Sequence, residues 1–195
     1  MFYFSDARRG GFKEVMARIL FVKRRADDIE WLTKILSEKG YEVVSTQIAS
    51  RAMEILYKEK LIRAIGVCNF HQHHLKSLLE IADVIPAVNQ IELHPLFSQS
   101  RLVAFCKKLG IHVEAYSPFA RMHEKLIKNE IIVAIANKYK KTVPQIILRW
   151  DYQQGIVSVP KSQNPIRLKE NISIFDFVLS DNEIESIDRV NIDFR

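Results

Sequence analysis

Short apolar runs alternate along this chain with longer stretches in which apolar side chains recur every three or four positions. Residues 17–23 (Ala-Arg-Ile-Leu-Phe-Val-Lys) read as a buried strand. Ile29, Leu32, Ile35 and Leu36 then place a helix over 26–39, with Asp27 and Asp28 suited to its first turn and Gly40 to its stop. Tyr41 to Thr46 reads as the next strand, giving a β-α-β segment. A helix from Arg51 to Lys60 leads into a strand ending at Val67, and the alternation continues with helix 72–82, strand 87–92, helix 98–109, strand 111–115 and helix 128–140. A helix over 143–153, strand 156–159 and helices over 165–171 and 181–190 complete the pattern. Thr142 and Pro144 mark a helix start, and Gly110 and Gly155 mark stops. Such alternation predicts an α/β fold with a parallel sheet covered by helices.

Composition narrows the function classes. With 48% hydrophobic and 27% charged residues, the chain has the make-up of a soluble globular protein. No apolar run reaches the roughly 18 residues that span a bilayer, and the first ten residues lack the layout of a signal peptide. A net charge of +6 raises the question of nucleic acid, but Lys and Arg are spread through amphipathic helices without an aromatic-interleaved stripe, so no nucleic-acid partner is expected. Cys68 and Cys106 have no metal-ligand spacing, which points to a reducing, cytoplasmic setting. The first β-α-β segment has a faint likeness to a response-regulator receiver domain, which needs an acidic pair after its first strand; Lys23, Arg24 and Arg25 stand there instead.

The chemistry gathers at four strand ends. Gly66-Val67-Cys68-Asn69-Phe70, Asn89-Gln90-Ile91-Glu92-Leu93-His94-Pro95, Ala115-Tyr116-Ser117-Pro118-Phe119 and Val159-Pro160-Lys161-Ser162 occur in that order, each placing polar or aromatic residues after an apolar run. Parallel α/β barrels keep their functional groups at such ends. From about Arg51 to Asn191 the chain resembles the C-terminal half of an aldo-keto reductase, a family of NADPH-dependent carbonyl reductases built on a (β/α)8 barrel. The expected fold is therefore a partial TIM-type barrel, its C-terminal half over 50–195, preceded by a β-α-β segment of uncertain origin over 1–49.

The resemblance implies NADP (NADPH) as cofactor and assigns roles residue by residue. Tyr116 would stack on the nicotinamide ring, with Ser117 and Phe119 beside it in the same cofactor-facing phrase. Asn69 and Gln90 would hold the carboxamide, aided by Cys68 where the family usually has serine, a stronger hydrogen-bonding group. Lys161 and Arg167 would meet the adenosine 2′-phosphate near a helix start opened by Pro165. Ser162 and Asn164 would add hydrogen bonds there, and Glu170 and Asn171 would hold the adenine edge. His94 has a mainly structural place in the family, and His71, His73 and His74 read as neutral surface histidines.

The family's proton-donating tyrosine and its lysine, aspartate and histidine partners come from the first four strands. No matching phrase occurs in residues 1–50, and no histidine precedes His71. The expectation is an NADP-dependent reductase relative lacking its catalytic set, with a small carbonyl compound as substrate if it is active. The alternative is a nucleotide-binding half-barrel without turnover, or one that depends on a partner. Half a barrel leaves parallel edges that invite self-association.

Overall fold

A computed structural model describes residues 18–21, 42–45 and 49–195, and in it the strands form two parallel sheets. In the first, β1 (Arg18–Phe21) pairs with β2 (Glu42–Ser45), Arg18 opposite Glu42 and Phe21 opposite Ser45. The helix expected over 26–39 lies outside the described residues. The second sheet takes β3 (Gly66–Cys68), β4 (Val88–Glu92), β5 (His112–Tyr116) and β6 (Val157–Val159) in chain order. The chain separates into residues 1–56 and 57–195, and the second unit carries the four strand ends.

Helix α1 (Ala49–Lys58) precedes β3, α2 (Gln72–Leu79) joins β3 to β4, and α3 (Ser100–Lys108) joins β4 to β5. Between β5 and β6 lie α4 (Glu124–Ile127), α5 (Glu130–Tyr139) and α6 (Val143–Gln153), and α7 (Pro165–Ile172) and α8 (Asp181–Asp188) follow. This is the predicted order with one refinement. The helix expected over 128–140 starts later and is preceded by the short α4, because the Asn129 side chain turns back to accept from the amides of Ile131 and Ile132. The expected punctuation is physical. Thr142 and Gln145 cap α6 reciprocally, Gln145 N–H donating to Thr142 Oγ1 and Thr142 N–H to Gln145 Oε1. Gly110 and Gly155 follow α3 and α6 with φ of 72° and 73°, where a side chain would strain the backbone.

The two faces of the second sheet differ. Asn89 and Ile91 on β4 and Val113 and Ala115 on β5 are buried against the helices, with Leu75, Leu102, Cys106, Ile146 and Trp150 in the same core. The alternate positions, Gln90, Glu92, Glu114 and Tyr116, are only partly covered. Parallel strands are commonly apolar on both faces; here one face is polar, as suits the inside of a curved sheet that opens on a site.

Helix α6 is the centre of the core, with every residue from Gln145 to Asp151 buried. Most of its polar groups are matched, the exception among the described residues being Asp151 Oδ1, which has no hydrogen-bond partner. Gln145 Nε2 donates to the carbonyls of Glu170 and Ser173, Arg149 to the carbonyl of Ile174, and Trp150 Nε1 to Asp188. Asp151 is fully buried and accepts from Ser158 Oγ at 2.5 Å, tying α6 to β6. Burial raises its carboxyl from 3.8 to about 8, against the lowering effect of the Ser158 hydrogen bond.

A carboxyl raised on folding binds its proton more tightly in the native state. This group's contribution to stability is therefore largest below pH 3.8 and is lost as the pH rises towards about 8. Asp151→Asn removes the ionisation. Melting the two proteins across this range should show the wild type losing up to about 1.4 kcal/mol per pH unit relative to the variant. A constant difference would refute the assignment.

Candidate functional site

The parallel order brings the ends of β3, β4, β5 and β6 to one rim. At the end of β3, Asn69 continues the ladder through its N–H to the Gln90 carbonyl (2.8 Å) and then turns left-handed, φ 57°. Gln99 after β4 and Ser117 after β5 are also left-handed, at 48° and 51°. Outside glycine such backbone costs on the order of 1 kcal/mol each and marks segments held by their surroundings.

For Asn69 the holding group is Asn89. Buried on the helix-facing side of β4, Asn89 accepts from Phe70 N–H at 3.3 Å and donates from Nδ2 to the Phe70 carbonyl at 2.8 Å. This amide works as a clamp on the loop that presents Asn69. The sequence reading gave it no role, although a polar residue between apolar neighbours on a core-facing position is the signal that singles it out.

On the polar face Tyr116 donates from its hydroxyl to Asn69 Oδ1 at 3.0 Å, and Gln90 Nε2 donates to Glu114 Oε2 at 2.5 Å. Asn69 Nδ2 reaches Cys68 Sγ at 3.4 Å, and the thiol faces Gln90 Oε1 at 4.0 Å, a weak contact. Cys68, Asn69, Gln90 and Tyr116 are thus one connected cluster, and Glu114 is a member that motif reading missed. Ser117 and Phe119 begin the loop after β5, where the Ser117 carbonyl accepts from Ala120 N–H.

Tyr116 and Val159 are register partners, so Lys161 lies two residues past the end of the adjacent β6. Lys161 and Arg167 are exposed and have no carboxylate partner among the described residues. Asn164 caps α7, its Oδ1 accepting from Ile166 and Arg167 N–H at 2.9 and 3.3 Å. Ser162 Oγ accepts from Asn164 N–H at 3.2 Å. Their oxygens are occupied in building the helix start, which leaves the Ser162 hydroxyl proton and the Asn164 amide protons to meet a ligand. Glu170 and Asn171 lie partly buried on α7, Asn171 lining an apolar cleft of about 360 Å³ with Leu168 and Ile172.

His94 is buried, its Nδ1 has no hydrogen-bond partner among the described residues, and burial lowers its pKa against the opposing charge of Glu92. His71, His73 and His74 begin α2, with His71 N–H donating to His74 Nδ1 at 3.2 Å. A Tyr-Lys-carboxylate grouping does occur among the described residues, on the α5–α8 contact away from the strand ends. The Tyr139 hydroxyl lies 2.7 Å from Glu183, which Lys138 also meets at 2.6 Å. Burial and Glu183 raise the Tyr139 pKa, the wrong direction for an acid working near neutrality. Most of the stretch in which the sequence reading sought the proton-donating set, residues 1–50, lies outside the described residues. Among the described residues no helix is long and apolar enough to cross a membrane.

Comparison with known proteins decides the family. The family model for the Aldo/keto reductase family matches residues 41–192. The chain belongs to the aldo/keto reductase family. It is 50% identical over 145 residues to a glyoxal reductase of Bacillus subtilis, covering 74% of this chain and 52% of that protein. To aldose reductase B of Dictyostelium discoideum it is 43% identical over 174 residues, covering 87% and 56%. A Bombyx mori aldo-keto reductase solved in complex with NADP superposes with a TM-score of 0.69 at 37% identity, covering 73% of this chain and 49% of that one. The fold is thus a partial (β/α)8 barrel, as expected, and the chain spans about half the length of the curated relatives it matches.

Asn89→Ala should release the clamp on Phe70. Unfolding in urea should show a loss of about 1–3 kcal/mol, the cost of leaving buried backbone groups without partners. A change within about 0.5 kcal/mol would mean the Asn69 loop is held by something else.

Proposed function

We propose that this chain supplies the NADP-binding half of an aldo-keto reductase. The observation that carries the proposal is the joined cluster of Asn69, Gln90 and Tyr116 at one rim, with Lys161 and Arg167, cations without a carboxylate partner among the described residues, past the next strand end. A flat cationic ring with a carboxamide suits an aromatic face flanked by two amides. A terminal phosphate suits Lys161 and Arg167 at the start of α7, where unpaired positive charge and the helix dipole add. Family membership and a relative solved with NADP support the same cofactor.

NADPH, when bound, supplies hydride to the carbonyl carbon of an aldehyde or ketone. In the proposal Tyr116 covers one face of the ring, Asn69 and Gln90 fix its rotation, and Cys68 stands between them. Ser117 and Phe119 would meet the cofactor from the loop after β5, and Ser162, Asn164, Glu170 and Asn171 would surround the adenosine end. The two free thiols, one exposed and one buried, are in keeping with a reducing, cytoplasmic setting.

A second reading rests on the sheet edges. Among the described residues β3 and β6 pair on one side only. We propose a second copy of the chain as their cover, so that sizing by light scattering should return a multiple of the chain mass; a folded monomer would sink this reading.

The cofactor proposal is tested by calorimetry. NADPH should bind with a micromolar dissociation constant, NADH at least about tenfold more weakly, and Lys161→Ala should remove most of that difference, since charge-assisted contacts to the 2′-phosphate set it. Equal affinity for NADPH and NADH would overturn the placement of the phosphate.

A further inference from the structure

Cys68, Gln90 and Glu114 lie opposite one another on three neighbouring strands, a row set by the register Cys68↔Gln90 and Gln90↔Glu114. The side chains of the row touch: Gln90 Nε2 donates to Glu114 Oε2 at 2.5 Å, and Gln90 Oε1 faces Cys68 Sγ at 4.0 Å. A primary amide can present either end to a neighbour, and a carboxylate removes that choice, because it accepts and does not donate. Glu114 therefore holds the NH2 end of Gln90 and turns its oxygen outward.

Asn69 is fixed in the opposite sense. The Tyr116 hydroxyl occupies Asn69 Oδ1 at 3.0 Å, and Asn69 Nδ2 points to Cys68 Sγ at 3.4 Å. One donor, from Asn69, and one acceptor, from Gln90, thus converge on a single sulfur. A thiol is a poor partner for both. A carboxamide brought to this point offers its carbonyl to Asn69 and its N–H to Gln90, and satisfies both.

We infer that Glu114 is a positioning residue that sets the polarity of Gln90, so that the site reads the NH2 group of the nicotinamide carboxamide. This rests on the cofactor reading above and adds the group that gives the amide pair its direction. Glu114 acts through Gln90 and does not touch the cofactor. It stands two residues before Tyr116 on β5, so one strand fixes both amides, one through a carboxylate and one through a phenol.

The test compares three probes by calorimetry on the full chain: NADP, its 3-acetylpyridine analogue, in which a methyl replaces the carboxamide NH2, and 2′-phospho-ADP-ribose, which lacks the nicotinamide. The wild type should bind NADP about tenfold more tightly than the analogue, the worth of one well-made hydrogen bond. Glu114→Ala should cut that preference to under about twofold. Glu114→Gln, whose amide can donate to Gln90 as well as accept from it, should keep only part of it. Binding of 2′-phospho-ADP-ribose should be the same in all three proteins, a result a general loss of structure would not give. A wild type that does not distinguish NADP from its analogue overturns the inference, whether or not Glu114→Ala folds. So does a folded Glu114→Ala that keeps the preference. In both cases, binding of 2′-phospho-ADP-ribose leaves the cofactor reading standing. If the folded wild type binds none of the probes, the cofactor reading falls and the inference falls with it.

Discussion

Everything in the described site depends on strand direction. Four strands that run parallel in chain order must deliver their ends to the same rim, and every connection must return by way of a helix. That constraint brings residues as far apart in sequence as Cys68 and Lys161 to strand ends on one rim. It also fixes side-chain partners, since register pairs Gln90 with Glu114 and Tyr116 with Val159. Among the described residues, the helices hold this arrangement from one side. Helix α6 is buried through its middle and tied to β6 by Asp151 and Ser158, so the strand that leads to Lys161 is anchored by a group whose burial is costly.

The rim combines two kinds of order. Backbone order comes from left-handed residues, Asn69 and Ser117 just past their strands and Gln99 at the start of α3, with the first held by the buried Asn89 amide. Side-chain order comes from the polar face, where each amide has one end taken by a neighbour, Gln90 by the acceptor-only Glu114 and Asn69 by the Tyr116 hydroxyl. A site arranged before its ligand arrives loses less freedom on binding. At the other end of the proposed cofactor the arrangement is looser. Ser162 and Asn164 shape the start of α7, and the two cations beyond them stand exposed.

Much of this was legible in the sequence, for reasons that are local. Helices with a capping box such as Thr142 and Gln145, and stops such as Gly110 and Gly155, announce themselves within a few residues. The strand ends were legible because an apolar run turns abruptly polar where a strand leaves the core. What stayed hidden depends on register. Glu114 looked like an ordinary polar position until β4 and β5 were aligned and Gln90 fell opposite it. Asn89 looked like part of a phrase, and its burial against the Phe70 loop needed the third dimension. Asn164 was read as a ligand contact, while its oxygen is first of all a helix cap. The polar inner face of the sheet was also missed, because strand-end motifs say little about the middle of a strand.

A crystal structure of the chain grown with NADP would test the central claim most directly. The account predicts the nicotinamide against Tyr116, with its carboxamide oxygen towards Asn69 and its NH2 towards Gln90, and the 2′-phosphate between Lys161 and Arg167. A dinucleotide seated away from the strand ends, or a carboxamide turned the other way, would contradict it.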